Sequence, residues 1–208
     1  MARAFYEIAF TQAVLAEQDR IGSRGAYAAT LAPEAERRDR IGPDEAAFIA
    51  ARDGFYMATV SETGWPYVQF RGGPKGFVRA LDEMTLGWAD YRGNRQHISL
   101  GNLSGDARVS LFFMDYPNQR RLKLLGRARV VERDADPALV ARLHVGGRGK
   151  PERAMLIDLA GFDWNCPQHI PARYTAEELE PGLGPLRDRL GALKAEIAAL
   201  RAAIPPAG

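Results

Sequence analysis

The sequence predicts a mainly β protein: a small antiparallel barrel with flanking helices and a C-terminal helix that carries a heptad seam. Three observations support this. From Gly54 onward the apolar period changes from helical to extended, and short β-favouring runs alternate with Gly, Pro, Asn and Asp breaks. Many short strands at close spacing with few helices between them fit a small antiparallel barrel. In the tail, Leu186, Leu190, Leu193, Ile197, Leu200 and Ile204 follow one another at alternating steps of four and three, an a/d seam.

The elements follow in order. Residues 5–19 have a moderate helical pattern through Phe5, Ile8, Val14 and Leu15. Residues 26–40 are rich in Ala, Glu and Arg, helix-capable but without a wide apolar face. Gly42-Pro43-Asp44-Glu45 opens a better helix, with Pro43 in its first turn and Phe48 and Ile49 on its buried side. Residues 54–60 and 65–71 form a hairpin about Glu62-Thr63-Gly64. Further strands are expected at 77–81, 84–89, 108–113, 121–132 and 154–159, with helices at 98–103 and from Asp136-Pro137 to about 145. Residues 163–170 read as irregular. The tail helix is bounded by Gly182 and Pro185 before it and Pro205-Pro206 after it, and either pairs across a dimer or docks on its own domain. This divides the chain into a helical arm (1–43), a barrel domain (44–175) and a linker with the heptad helix (176–208).

Composition narrows the function. The chain has 208 residues, 26% charged, with a net charge of +2, so there is no whole-chain argument for nucleic acid. Cations are nevertheless concentrated from Tyr116 to Val131, where Arg120, Arg121, Lys123, Arg127 and Arg129 occur with no acid. By the two-residue period of a strand, Arg121, Lys123, Arg127 and Arg129 share one face, and Leu122, Leu124, Ala128 and Val130 the other. The basic face is either a solvated outer surface or the seat of a small anion. The single cysteine, Cys166, allows no internal disulfide. No apolar run reaches the roughly 18 residues that span a membrane, and the N-terminus lacks a signal-peptide core. The expected location is the cytoplasm.

Familiar catalytic patterns are missing. There are three histidines, no GxSxG, GxGxxG or Walker sequence, and no cluster with metal-ligand spacing, which argues against a hydrolase or metalloenzyme. What remains suits an anion and a polar ring. The stretch from Gly87 to Asn102 runs as a strand through Trp88 and Tyr91, breaks at Arg92-Gly93-Asn94, and enters a helix through Arg95-Gln96-His97. That geometry delivers guanidiniums, an amide and free N–H groups to one place. Gln69 and Arg71 share one face of the preceding hairpin strand, and Trp88, Tyr91 and Trp164 offer flat surfaces. A flavin mononucleotide fits this inventory, because the cofactor itself carries the redox chemistry.

Arg92-Gly93-Asn94-Arg95-Gln96 and Asp106-Ala107-Arg108-Val109-Ser110-Leu111-Phe112-Phe113, in this order of elements, resemble the pyridoxamine 5′-phosphate oxidase-like FMN-binding split barrels over roughly residues 44–173. The N-terminal FTQAVLAEQDRIGSRGAY and the later FDWNCPQHIPARY resemble a bacterial subgroup of that superfamily. The resemblance implies a homodimer of six-stranded split barrels with FMN in the interface. Phosphate contacts would fall on Arg71 and on Asn94, Arg95 and Gln96; Gln69, Tyr91 and Arg92 join the cofactor-binding candidates from the residue inventory, not from the resemblance. Arg121 would lie near the flavin ring, and the opposing subunit would contribute Trp164 and Gln168. The vitamin B6 oxidase itself has an Arg-rich C-terminal substrate site. Here that end is replaced by DWNCPQHI and the heptad helix, and Gly72-Gly73 displaces an expected lysine, so little or no B6 oxidase activity is expected.

The leading expectation is therefore an FMN-dependent oxidoreductase taking a small-molecule substrate or a nicotinamide donor. The alternatives are a non-catalytic flavin or haem binder and a structural dimer whose basic face meets an acidic partner. Cys166 is read either as a small buried hydrophobe or as a residue at the flavin edge.

Overall fold

The computed structural model describes residues 3–93, 95–146, 149–164 and 168–203. Strict apolar alternation sets its frame. In β5 (Arg108–Asp115) Val109, Leu111 and Phe113 are buried and the residues between them are not. In β6 (Arg120–Glu132) Leu122, Leu124, Gly126 and Ala128 point inward. β1 (Gly54–Val60) adds Phe55 and Met57, and β7 (Pro151–Trp164) adds Met155 and Ile157, to one core. The other strands are β2 (Pro66–Gly72), β3 (Arg79–Ala80) and β4 (Thr85–Tyr91).

All pairings are antiparallel, in the order β2-β1-β5-β6-β7-β4-β3. β2 lies five places from β4 in that order, yet Arg71 and Asp90 are 3.2 Å apart. The sheet therefore curls until its two sides nearly meet, giving a split barrel. The strand count is seven, as the chain's own strand pattern predicted, rather than the six that the family resemblance implied, and the strand expected at 77–81 shrinks to the two-residue β3. Next to Gly126 the β6–β7 register shifts. A Cβ there would come within 2.6 Å of the Asp158 carbonyl oxygen, so only glycine fits this close approach.

The hairpin falls where the period placed it. Several other expectations are corrected. Residues 5–19 are two helices, α1 (Arg3–Ala9) and α2 (Gln12–Ile21), separated because Thr11 caps α2 by accepting from Val14 N. Residues 26–40 are mostly not helical: α3 (Arg24–Tyr27) gives way to one 3₁₀ turn at Ala28–Thr30. Pro33 follows, and the carbonyls of Glu36, Arg37 and Arg38 accept from Arg3, Ala4 and Phe162, so tertiary pairing replaces the helix that the composition favoured. α4 (Pro43–Ala50) forms as expected, its Gly42 N–H held by Glu45 at 3.1 Å. So do α5 (Ile98–Gly105) and α6 (Pro137–Leu143).

β7 is more than twice its expected length because β4 and β6 pair with it on both sides, overriding Asp158, Gly161 and Asp163. Asp163 and Trp164 are thus strand rather than irregular chain, while Cys166 lies outside the described residues. α7 (Ala176–Ala203) begins ten residues before Leu186 and contains Gly182 and Pro185, which the sequence reading had placed before it, as well as Pro181. A reciprocal cap starts it there: Thr175 Oγ1 accepts from Glu178 N, and Glu178 Oε2 accepts from Thr175 N at 2.8 Å. The seam of α7 does not dock on its own domain, since Leu186, Leu190, Leu193, Ile197 and Leu200 are all exposed.

Candidate functional site

β4 ends at Tyr91 and α5 begins at Ile98, and of the residues between them Arg92, Gly93 and Arg95–His97 are described. Arg95 and His97 take left-handed conformations, with φ of 61° and 54°. Such backbone costs energy for residues with a Cβ and persists where its surroundings impose it, often at ligand sites. α5 is fastened beneath this turn. Ser99, buried, donates from Oγ to Gln69 Oε1 at 2.9 Å, and Asn102 Nδ2 donates to Thr59 Oγ1 at 2.9 Å.

Between this turn, β2 and β7 lies a cleft of about 290 Å³ lined by Tyr67, Gln69, Arg71, Asp90, Tyr91, Arg95, Gln96 and Arg153 among others. A second cleft of about 220 Å³ adjoins it and is lined by Phe70, Gly73, Phe77, Trp88 and Arg92. The two share Gln69, Arg71, Asp90, Tyr91 and Gly93, so they form one trough whose size falls in the small-molecule range of roughly 300–1,000 Å³.

Its electrostatics centre on one carboxylate between two guanidiniums. Arg71 Nη1 donates to Asp90 Oδ1 at 3.2 Å, and Arg153 Nη1 reaches Asp90 Oδ2 at 3.5 Å. Arg153 also meets Glu132 at 3.2 Å. Burial pushes the Asp90 carboxyl above its ordinary range, with Arg71 and Arg153 pulling the other way. Arg71 Nε is buried with no hydrogen-bond partner. A buried donor left unpaired costs about 1–3 kcal/mol, and an anionic oxygen in the trough would relieve it. Tyr91 accepts at its hydroxyl from Val145 N at 2.9 Å and lies 2.9 Å from His144 Nδ1, which fixes the far wall.

Of the residues singled out from sequence, Gln69, Arg71, Tyr91, Arg95 and Gln96 converge on the larger cleft and Arg92 on the smaller, while Asn94 lies outside the described residues. Arg121, Trp164 and Gln168 do not join them within the protomer. Arg121 sits over the Phe112 ring at 5.7 Å. Trp164 donates from Nε1 to Glu45 at 2.8 Å and packs edge-on against Phe48. Gln168 is exposed. The basic strip of β6 is largely committed elsewhere: Lys123 pairs with Asp163, Arg129 with Asp158, and Arg120 covers Trp164. Sequence reasoning missed Asp90, Arg153 and Ser99. Asp90 and Arg153 are cross-strand partners of β4 and β7, a register that no local pattern announces. Among the described residues, no group of three or more His, Cys, Asp or Glu could hold a metal, and no helix is long and apolar enough to cross a membrane.

Fold and site together define a split-barrel protein with a basic trough along the opening of its sheet. The family model for pyridoxamine 5′-phosphate oxidase matches residues 41–158, more than half of the chain. The chain therefore belongs to the pyridoxamine 5′-phosphate oxidase family. Among solved structures it is similar to HupZ of Group A Streptococcus, at 16% identity and a TM-score of 0.50, covering 64% of this chain and 99% of that one. It is also similar to a putative pyridoxamine 5′-phosphate oxidase of Lactobacillus delbrueckii, at 19% identity and a TM-score of 0.47, covering 60% and 94%. An FMN-binding protein of Syntrophomonas wolfei matches at 9% identity and a TM-score of 0.47, covering 74% and 96%. At such identities the likeness to HupZ speaks for the fold alone, and no curated protein matches.

Proposed function

We propose that this protein binds FMN in the trough and acts as an FMN-dependent oxidoreductase, working as a homodimer in the cytoplasm. The observation that carries the reading is the buried, unpartnered Nε of Arg71 in a trough also lined by Arg95, Gln96 and Arg153. Arg71 and Arg95, with Asn94 and Gln96, hold the phosphate. A carboxylate already sits on Arg71 Nη1, so the phosphate takes the free Nε side of that guanidinium. Gln69, kept in orientation by Ser99, offers its amide nitrogen to the trough. Arg121, outside the trough of its own protomer, would stand near the ring only across the dimer, and Trp164 and Gln168 serve the site of the opposite subunit. FMN, when bound, supplies hydride and electron transfer itself, so the protein needs no acid–base triad. The chain's own task is to bind, orient and limit water around the ring.

The test is the absorbance spectrum of purified protein, followed by mass identification of the released chromophore. A flavin spectrum and a released mass of FMN are expected. Colourless protein that also fails to take up added FMN overturns the reading. Reduction of the bound chromophore by NADH or NADPH with passage to an acceptor supports an oxidoreductase, and binding without turnover leaves a flavin carrier or sensor.

A further inference from the structure

We propose that α7 is a docking helix for its own kind, pairing antiparallel with α7 of a second copy of this chain. The inference is independent of any ligand in the trough. α7 has 28 residues, about 42 Å of helix. Read as heptads, Leu183, Leu190 and Ile197 occupy a, and Leu179, Leu186, Leu193 and Leu200 occupy d. All seven are exposed, from 38% at Leu183 and Leu193 to 66% at Leu186. Its first turn is tied to the barrel by Lys75 and Glu177 at 3.2 Å, a surface pair, and the seam residues beyond it stay exposed in the protomer.

The shape of the apolar surface selects a helix as occupant. A helix that lies on a globular body presents a wide apolar face, whereas this one presents a narrow a/d stripe. Charged residues flank the stripe, and Gly184, Gly191, Ala192, Ala198 and Ala199, at the outer b and c positions, add no bulky apolar side chain that would widen it.

The flanking charges select a second copy and an orientation. With the seams fully overlapped head to tail, Leu190 packs opposite Leu193, Leu186 opposite Ile197 and Leu183 opposite Leu200. Arg189 then faces Glu196, and Glu180 faces Arg201, each pairing occurring twice by symmetry. The one like-charged pairing is Arg187 with Lys194, and Glu180, 2.6 Å from Arg187 in its own helix, is shared between Arg187 and the facing Arg201. Parallel and in register, Glu196 would meet Arg201 but Arg189 would meet Lys194, so half the flanking pairs would repel.

The test uses spin labels in the full chain with the single cysteine removed as Cys166→Ser. Labels are placed at Ala192→Cys or, separately, at Ala199→Cys, two positions on the same helical face, and the distance between copies is read by pulsed dipolar spectroscopy. In the antiparallel pair the two-fold axis passes between residues 191 and 192. Labels at 192 then sit at nearly the same height, and labels at 199 are offset by roughly 22 Å along the helix. The expected result is a separation at 199 longer by about 10 Å or more, with both distances lost when Leu190→Glu and Leu193→Glu are added. Because these leucines are exposed in the protomer, circular dichroism of that variant should match the parent. Equal separations at the two sites, no measurable distance, or distances that survive the double substitution would each overturn the proposal.

Discussion

Arg71 and Asp90 meet at 3.2 Å across the opening of the barrel, joining β2 and β4, strands that are not neighbours in the sheet. The contact has two roles. It ties the two sides of the sheet, and it orients a guanidinium whose Nε is left for a ligand. Arg71→Ala removes both the orienting charge and the phosphate contact. Loss of a hydrogen bond to a charged group is worth about 1.5–3 kcal/mol, so the FMN dissociation constant should rise roughly 10- to 100-fold. Fluorescence titration of the apoprotein measures this, and an unchanged constant would place the phosphate elsewhere.

Asp90 gives a prediction in pH. Its carboxyl is raised in the folded state, chiefly by burial, so the native protein holds this proton more tightly than the unfolded chain does. Between the unfolded value of about 3.9 and the raised folded one, stability from this group falls as pH rises, and its full contribution is present only at the acid end. Asp90→Asn removes the titration. The stability of the parent minus that of the variant should therefore decline as pH is raised through this window, then level off. Urea unfolding of both proteins at several pH values checks it, and a difference that grows with pH would contradict the assigned cause.

The N-terminal arm is held by a polar contact with a defined cost. Tyr6 donates to Asp163 at 3.0 Å, and the same oxygen receives Lys123 at 2.8 Å. Burial first, then Asp163, pushes the Tyr6 hydroxyl far above its ordinary range, so it stays a donor at any usual pH. Tyr6→Phe should lower stability by about 1.5 kcal/mol, the lower end for a bond to a charged group, since Lys123 still satisfies the carboxylate. Equilibrium urea denaturation reads the change, with flavin affinity expected to stay as it was.

What the sequence made legible is what depends on local periodicity. β1 was bounded residue for residue because its alternation lies between Gly54 and Ser61, and the break after Tyr91 announced itself through Gly93. The arm at 26–40 was misread because composition favours helix there, while carbonyls spent on α1 and β7 leave no room for one. At the site, Arg71, Gln69 and the 92–96 turn were visible as residue types at a break. Asp90 and Arg153 were not, because their meeting depends on β4 pairing with a strand some sixty residues away. The early start of α7 was readable as Thr175-Ala176-Glu177-Glu178, but Gly182 and Pro185 spoke against it.

Arg95 separates function from stability. It holds a φ of 61°, a conformation that costs a non-glycine residue roughly 1 kcal/mol or more. Nothing in the core depends on its side chain, which is exposed at the rim of the trough. The residue thus sits in a backbone state better suited to glycine while placing a guanidinium beside the trough. Arg95→Gly relieves the strain and deletes the charge, although glycine also frees the unfolded chain and offsets part of the gain. The melting temperature of the apoprotein should hold or rise slightly, while FMN affinity falls roughly 10-fold or more, as expected for one lost charge-assisted contact. A variant that binds FMN as tightly as the parent would remove Arg95 from the phosphate site and leave the left-handed turn as a structural feature alone.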